Sequence, residues 1–101
     1  MKITGKAQGQ FEKWYLSDKV SYLNPHIVNF YGLPDSLQWG VIQDWADSVG
    51  YFITNSWIGD NQFCPGITHN NFILWEDTFR TRQEARKAAI EKLNEILKSL
   101  E

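Results

Sequence analysis

The chain has 101 residues, a net charge of −2, one cysteine, and five tryptophans, four tyrosines and six phenylalanines. A chain of this length makes one domain and buries roughly 60–65% of its unfolded surface, enough for one core without metal or disulfide. The lone Cys64 excludes an internal disulfide, no apolar run is long enough to span a bilayer, and the acidic balance argues against a dedicated nucleic-acid binder.

Residues 1–9 hold two glycines and scattered polar residues without a period, the pattern of a flexible leader ahead of a single α+β domain over residues 10–101. They also lack the apolar core of a secretion signal, so the expected location is cytoplasmic. From Gln10 to Asp18, Phe11, Trp14 and Tyr15 recur at three- and four-residue spacing and predict a short helix. Asn24-Pro25 is a turn or helix-start signal, and Ile27, Phe30 and Tyr31 form a helical turn that stops at Gly32.

Pro34 opens the next helix, and Asp35 puts a favourable negative charge in its first turn. Leu37, Val41, Trp45 and Val49 make its apolar stripe, flanked by Ile42 and Ala46, while Gln38, Gln43, Asp44, Asp47 and Ser48 fill the opposite side. Gly50 stands where a left-handed C-cap is wanted. Gly40, inside the helix, costs about 1 kcal/mol relative to alanine, which predicts a close crossing by another element.

Residues 51–58 are aromatic and β-branched, the composition of a strand. Gly59-Asp60-Asn61 is a turn, the stretch through Cys64-Pro65-Gly66 reads as a loop, and residues 71–76 read as a second strand, reaching back as far as Ile67. The two strands pair across the loop. Residues 81–97 are an amphipathic helix. Thr81 is its N-cap, with Glu84 placed to complete a capping box, and Ala85, Ala89, Leu93, Ile96, Leu97 and Leu100 share one face. The expected fold is therefore α+β and two-layered: short helix, helix, antiparallel β-hairpin, long C-terminal helix.

Chemistry is sparse. Cys64 and His69 are the one nucleophile–base combination, and both fall in a single loop with nothing to orient the imidazole. Together with His26 they do not supply a zinc set. Asp35, Asp44 and Asp47 read as a solvated acidic face rather than a cation site. No phosphate-binding glycine loop is present. No catalytic residue, metal or cofactor is predicted, and the expectation is a protein that is not an enzyme.

Two surfaces remain as candidates. Arg80, Thr81, Arg82 and Arg86 surround the free amides at the start of the last helix, an arrangement able to take a phosphate or carboxylate. Trp39, Trp57 and Phe63 are candidates for an exposed aromatic patch suited to protein contact or base stacking. The alternative for Trp39 is burial under Phe11 and Trp14.

Several stretches have a familiar word order: Phe11-Glu12-Lys13-Trp14-Tyr15, the run from Phe30 to Val41, Asp44-Trp45-Ala46-Asp47-Ser48-Val49-Gly50, and the run from Thr81 to Lys92. Over most of residues 11–97 they resemble a group of small uncharacterised proteins encoded by phages and mobile elements of Bacteroidetes. That resemblance implies a genomic setting and a small accessory protein acting by binding, with a host protein as partner. Residues 36–97 also resemble the double-stranded RNA-binding domain, through Thr81, Arg82, Ala85, Arg86, Ala88 and Ala89, with Pro65, Gly66 and His69 similar to its minor-groove loop. That family runs helix, three strands, helix. Here Gln83 and Glu84 stand where its basic residues concentrate, and the spacing between Trp75 and Arg80 leaves no room for a third strand.

The leading expectation is a non-enzymatic binding protein with a host protein partner met through aromatic side chains. The alternative is a nucleotide or RNA bound at the arginine cluster. Open edges of a two-stranded sheet also make a homodimer an expectation.

Overall fold

The computed structural model describes residues 2–17 and 30–100. The Asn24-Pro25 signal, His26 and Ile27 lie outside the described residues. Within them the chain runs α1 (Lys6–Tyr15), α2 (Asp35–Ser48), β1 (Tyr51–Gly59), β2 (Gln62–His69), β3 (Phe72–Glu76) and α3 (Arg82–Ser99). The class is α+β, in the order helix, helix, antiparallel strands, helix. Among the described residues no helix is long and apolar enough to cross a membrane.

The sheet has three strands in the order β1-β2-β3, all antiparallel. This corrects the expected loop through Cys64-Pro65-Gly66: that segment is the central strand, and the two predicted strands flank it instead of pairing with each other. The additional strand therefore lies before Trp75 rather than after it, and residues 35–99 run helix, three strands, helix. Two tight turns make this possible. Asp60 and Asn61 both take positive φ, and so do Asn70 and Asn71, the geometry of two-residue hairpins that asparagine tolerates. Pro65 hid the strand, because proline normally demotes a central strand. Its carbonyl accepts from Asp77 N at 3.3 Å, so residue 65 turns its backbone toward β3, where the missing N–H costs a single ladder bond.

Helix α2 rests on β1, α3 on β2, and α1 packs against both helices. Tyr51, Ile53, Pro65 and Ile67 face the helices and are buried. Phe11 joins α1 to the rest: its ring meets Phe30 edge-on at 5.0 Å and Trp45 at 5.5 Å. Such pairs add about 0.5–1.5 kcal/mol each beyond their buried area.

The structure moves several boundaries. α1 begins at Lys6, and Ile3 is buried in the core, so residues 2–9 are docked and not a loose leader. Asn94 holds this stretch by its backbone, accepting from Thr4 N at 3.0 Å and donating to Lys2 O at 2.8 Å. On α2 the buried face is Gln38, Trp39, Val41, Ile42, Trp45 and Ala46. Leu37 and Val49 are exposed, so the predicted stripe is rotated by about one position. Gln38, expected in solvent, is only 5% exposed, its amide donating to the carbonyls of Leu33 (2.9 Å) and Tyr31 (3.2 Å). Among the described residues nothing lies within 4 Å of a Cβ built on Gly40, so none of the described elements crosses closely there. Gly50, at φ +90°, does follow the C-cap of α2 in the left-handed region.

Candidate functional site

Because strands alternate their side chains, the register sorts the sheet into rows. On the helix-facing side one row is Ile53, Ile67 and Trp75. The row at the sheet's far end is aromatic. Trp57 is opposite Phe63, and Phe63 exchanges backbone hydrogen bonds of 2.8 Å in both directions with Phe79. Trp57 is 67% exposed, while Phe63 and Phe79 are half-buried.

The first turn of α3 approaches the same row. Arg82 places its guanidinium 5.2 Å from the centroid of the Phe63 ring, a cation–π contact worth about 0.5–1 kcal/mol at an exposed position. Arg82 and Arg86 extend the sheet-facing stripe of Ala85, Ala89 and Leu93 toward the helix start, one turn apart. Asn55, two residues before Trp57 on the same side, donates from Nδ2 to Arg82 O at 3.4 Å. Arg86 is half-buried, and its Nε and Asn55 Oδ1 are buried without a hydrogen-bond partner among the described residues. Arg80 is exposed and lines a small cleft with Gln62, Thr78 and Phe79.

The predicted anion site is thus divided. Thr81 Oγ1 accepts from Glu84 N at 3.1 Å, which forms the N-cap and occupies one amide at the helix start. Arg82 sits on Phe63 while still exposed, Arg86 is drawn inward, and Arg80 stands in solvent.

Trp39 does not belong to an aromatic surface: it is 7% exposed and part of the core. It lies on the inward arc of α2 once the buried face includes Gln38. Trp57 and Phe63 do come together, joined by Phe79, which lies beyond the end of the predicted second strand. The alternation of Trp75, Asp77 and Phe79 was the available signal, together with the Asn70-Asn71 turn that makes the preceding segment a strand.

Cys64 and His69 are not brought together. They lie five residues apart on β2, about 16 Å along the strand and on opposite faces. His69 is held by structure: Nδ1 lies 2.8 Å from Gly50 O, Nε2 lies 3.2 Å from Asn70 Nδ2, and the ring stacks on Tyr51. Asp35 stands at one end of α2, roughly 13 Å from Asp44. Among the described residues no group of three or more His, Cys, Asp or Glu is arranged to hold a metal ion.

A groove of about 510 Å³ runs between residues 2–4, the start of α2 and the outer flank of α3. Lys2, Asp35, Glu84, Lys87 and Glu91 line it over Ile90. Its lining carries charges of both signs.

Comparison with protein-family models, curated proteins and solved structures finds no match to this chain.

Proposed function

We propose that this protein is a non-enzymatic binding module that captures a protein partner on the Trp57–Phe63–Phe79 row. The observation that carries this reading is Trp57: a tryptophan 67% exposed on a strand, in register with a second aromatic ring that an arginine covers. Leaving so large an apolar side chain in water costs solubility and gains nothing for the core. Tryptophan and arginine are also the residues that most often dominate binding energy at protein interfaces. The likeness to small phage and mobile-element proteins supports a host protein as that partner.

The test is capture from host lysate by the immobilised wild type, Trp57→Ala and Arg82→Ala. Trp57→Ala is expected to lose its partner at least ten-fold while its melting temperature stays within about 2 °C of wild type. An unchanged set of captured proteins overturns the reading. A large drop in melting temperature reassigns the ring to the fold.

A nucleotide or RNA is the second reading. The helix, three-strand, helix order over residues 35–99 and the exposed Arg80 favour it, and stacking of bases on Trp57 and Phe79 suits it. The net charge of −2 weighs against it. Under this reading, Arg80→Glu combined with Arg82→Glu abolishes binding of a labelled RNA duplex, and affinity falls steeply with salt.

A further inference from the structure

The side of the sheet turned away from the helices carries its own rows. Phe52, Thr68 and Ile73 form one, Thr54, Gly66 and Glu76 the next, and Ser56 stands opposite Cys64 beyond them. Phe52 and Ile73 are 52% and 64% exposed. Glu76 is the one charged side chain in these rows. A strongly acidic partner finds no cation here and a strongly basic one a single carboxylate, whereas a surface equally apolar and as sparsely charged is matched.

We propose that a second copy of this chain covers this face, packing sheet against sheet about a two-fold axis parallel to β2. That axis lays β1 of one copy over β3 of the other and β2 over β2. Phe52 then meets the second copy's Ile73, and Ile73 its Phe52, so the apolar row is complementary to itself. Glu76 falls over the hydroxyl of Thr54, so the two carboxylates are kept apart across the interface. The net charge of −2 on each chain therefore does not oppose this contact locally. Gly66, between Thr54 and Glu76, keeps the middle of the face low enough for close approach.

Face packing is favoured over the edge pairing expected of an open sheet, because both edges are blunted. Gln43 of α2 donates to the carbonyl of Ile53 at 3.0 Å, occupying an outward acceptor of β1. The register of β3 breaks between its pairings to Ile67 and Thr68, where Leu74 is an extra residue. Both are devices that discourage strand addition. The face itself spans roughly 14 by 25 Å. Two such faces cover about 700 Å² in total, below the roughly 1,200 Å² at which stable interfaces begin, so the dimer is a weak one.

Sedimentation equilibrium of the full chain from 1 μM to 1 mM, with Phe52→Lys, Ile73→Lys and Trp57→Ala beside it, tests the proposal. Wild type is expected to pass from monomer to dimer within this range. Either lysine variant, substituted at a position already in solvent, is expected to shift the midpoint at least ten-fold upward with an unchanged circular dichroism spectrum. Trp57→Ala lies on the other side of the sheet and is expected to dimerise as wild type does. The axis also places Cys64 opposite its own copy, so a short bis-maleimide is expected to join two wild-type chains and not two Ile73→Lys chains. A wild type still monomeric at 1 mM leaves the face to a different partner and overturns the proposal. So does a dimer that survives both lysines, or one lost in Trp57→Ala.

Discussion

His69 lies flat on Tyr51, the two rings 4.4 Å apart and 12° from parallel, on neighbouring strands in register. The same imidazole reaches Gly50 O through Nδ1 at 2.8 Å, so the ring ties the turn after α2 to the central strand. With the carbonyl as its partner Nδ1 carries the proton, and Nε2 accepts from Asn70. His69→Ala removes a stack and a half-buried hydrogen bond together, an expected loss of about 1–2 kcal/mol. Urea unfolding measures it. A loss that disappears in a Tyr51→Leu background assigns it to the stack.

Asn94 and residues 2–4 give a second prediction. If Asn94 clamps the backbone of Lys2 and Thr4, Asn94→Ala costs about 1–2 kcal/mol and accelerates hydrogen exchange of the Thr4 amide. Ile3→Ala, in the core, costs about 2–4 kcal/mol. An undocked leader would make both substitutions silent in thermal unfolding.

Gly40 sits inside α2 with open space around its Cβ position. Alanine there gains helix propensity and narrows the unfolded ensemble, and nothing has to move. Gly40→Ala is expected to raise stability by about 0.5–1 kcal/mol, a shift of several degrees in melting temperature for a chain this size. A destabilised variant would reveal a contact at this position.

Asp47 carries the pH prediction. Burial raises its pKa above 3.8, and the neighbouring Asp44 raises it further. Its place in the last turn of α2, at the negative end of the helix dipole, acts in the same sense. A carboxyl that holds its proton more tightly when folded contributes stability below its unfolded pKa and loses it as the pH rises through the folded value. Asp47→Asn never ionises, so at pH 7 it is expected to melt about 2 °C above wild type. That gain should fade once the pH falls below the ordinary aspartate value. Thermal melts between pH 3 and 7 read both ends.

What the sequence disclosed and concealed follows from the range of each interaction. The Thr81 cap, the Gly50 terminus and the 85/89/93 stripe depend on residues within one or two turns, and all three were legible. The central strand was concealed by Pro65, because only the register shows that its missing N–H faces the side that can spare it. Gln38 was read as solvent-facing for a similar reason: the carbonyls of Tyr31 and Leu33 that draw it inward belong to a separate turn of chain. At the candidate site, the sequence groups Trp57 and Phe63 in one aromatic patch but adds Trp39, which is buried, because cross-strand neighbours are invisible until pairing is fixed. Phe79 and the seating of Arg82 on Phe63 depend on that same pairing.

The grip of Asn94 on residues separated from it by 90 positions also sets a schedule for synthesis. Residues 2–4 leave the ribosome long before α3 does, and Ile3 has no complete site until that helix arrives. A fragment that stops short of α3 therefore lacks both the Asn94 clamp and the Ala89, Ile90 and Leu93 side chains of the core that Ile3 joins.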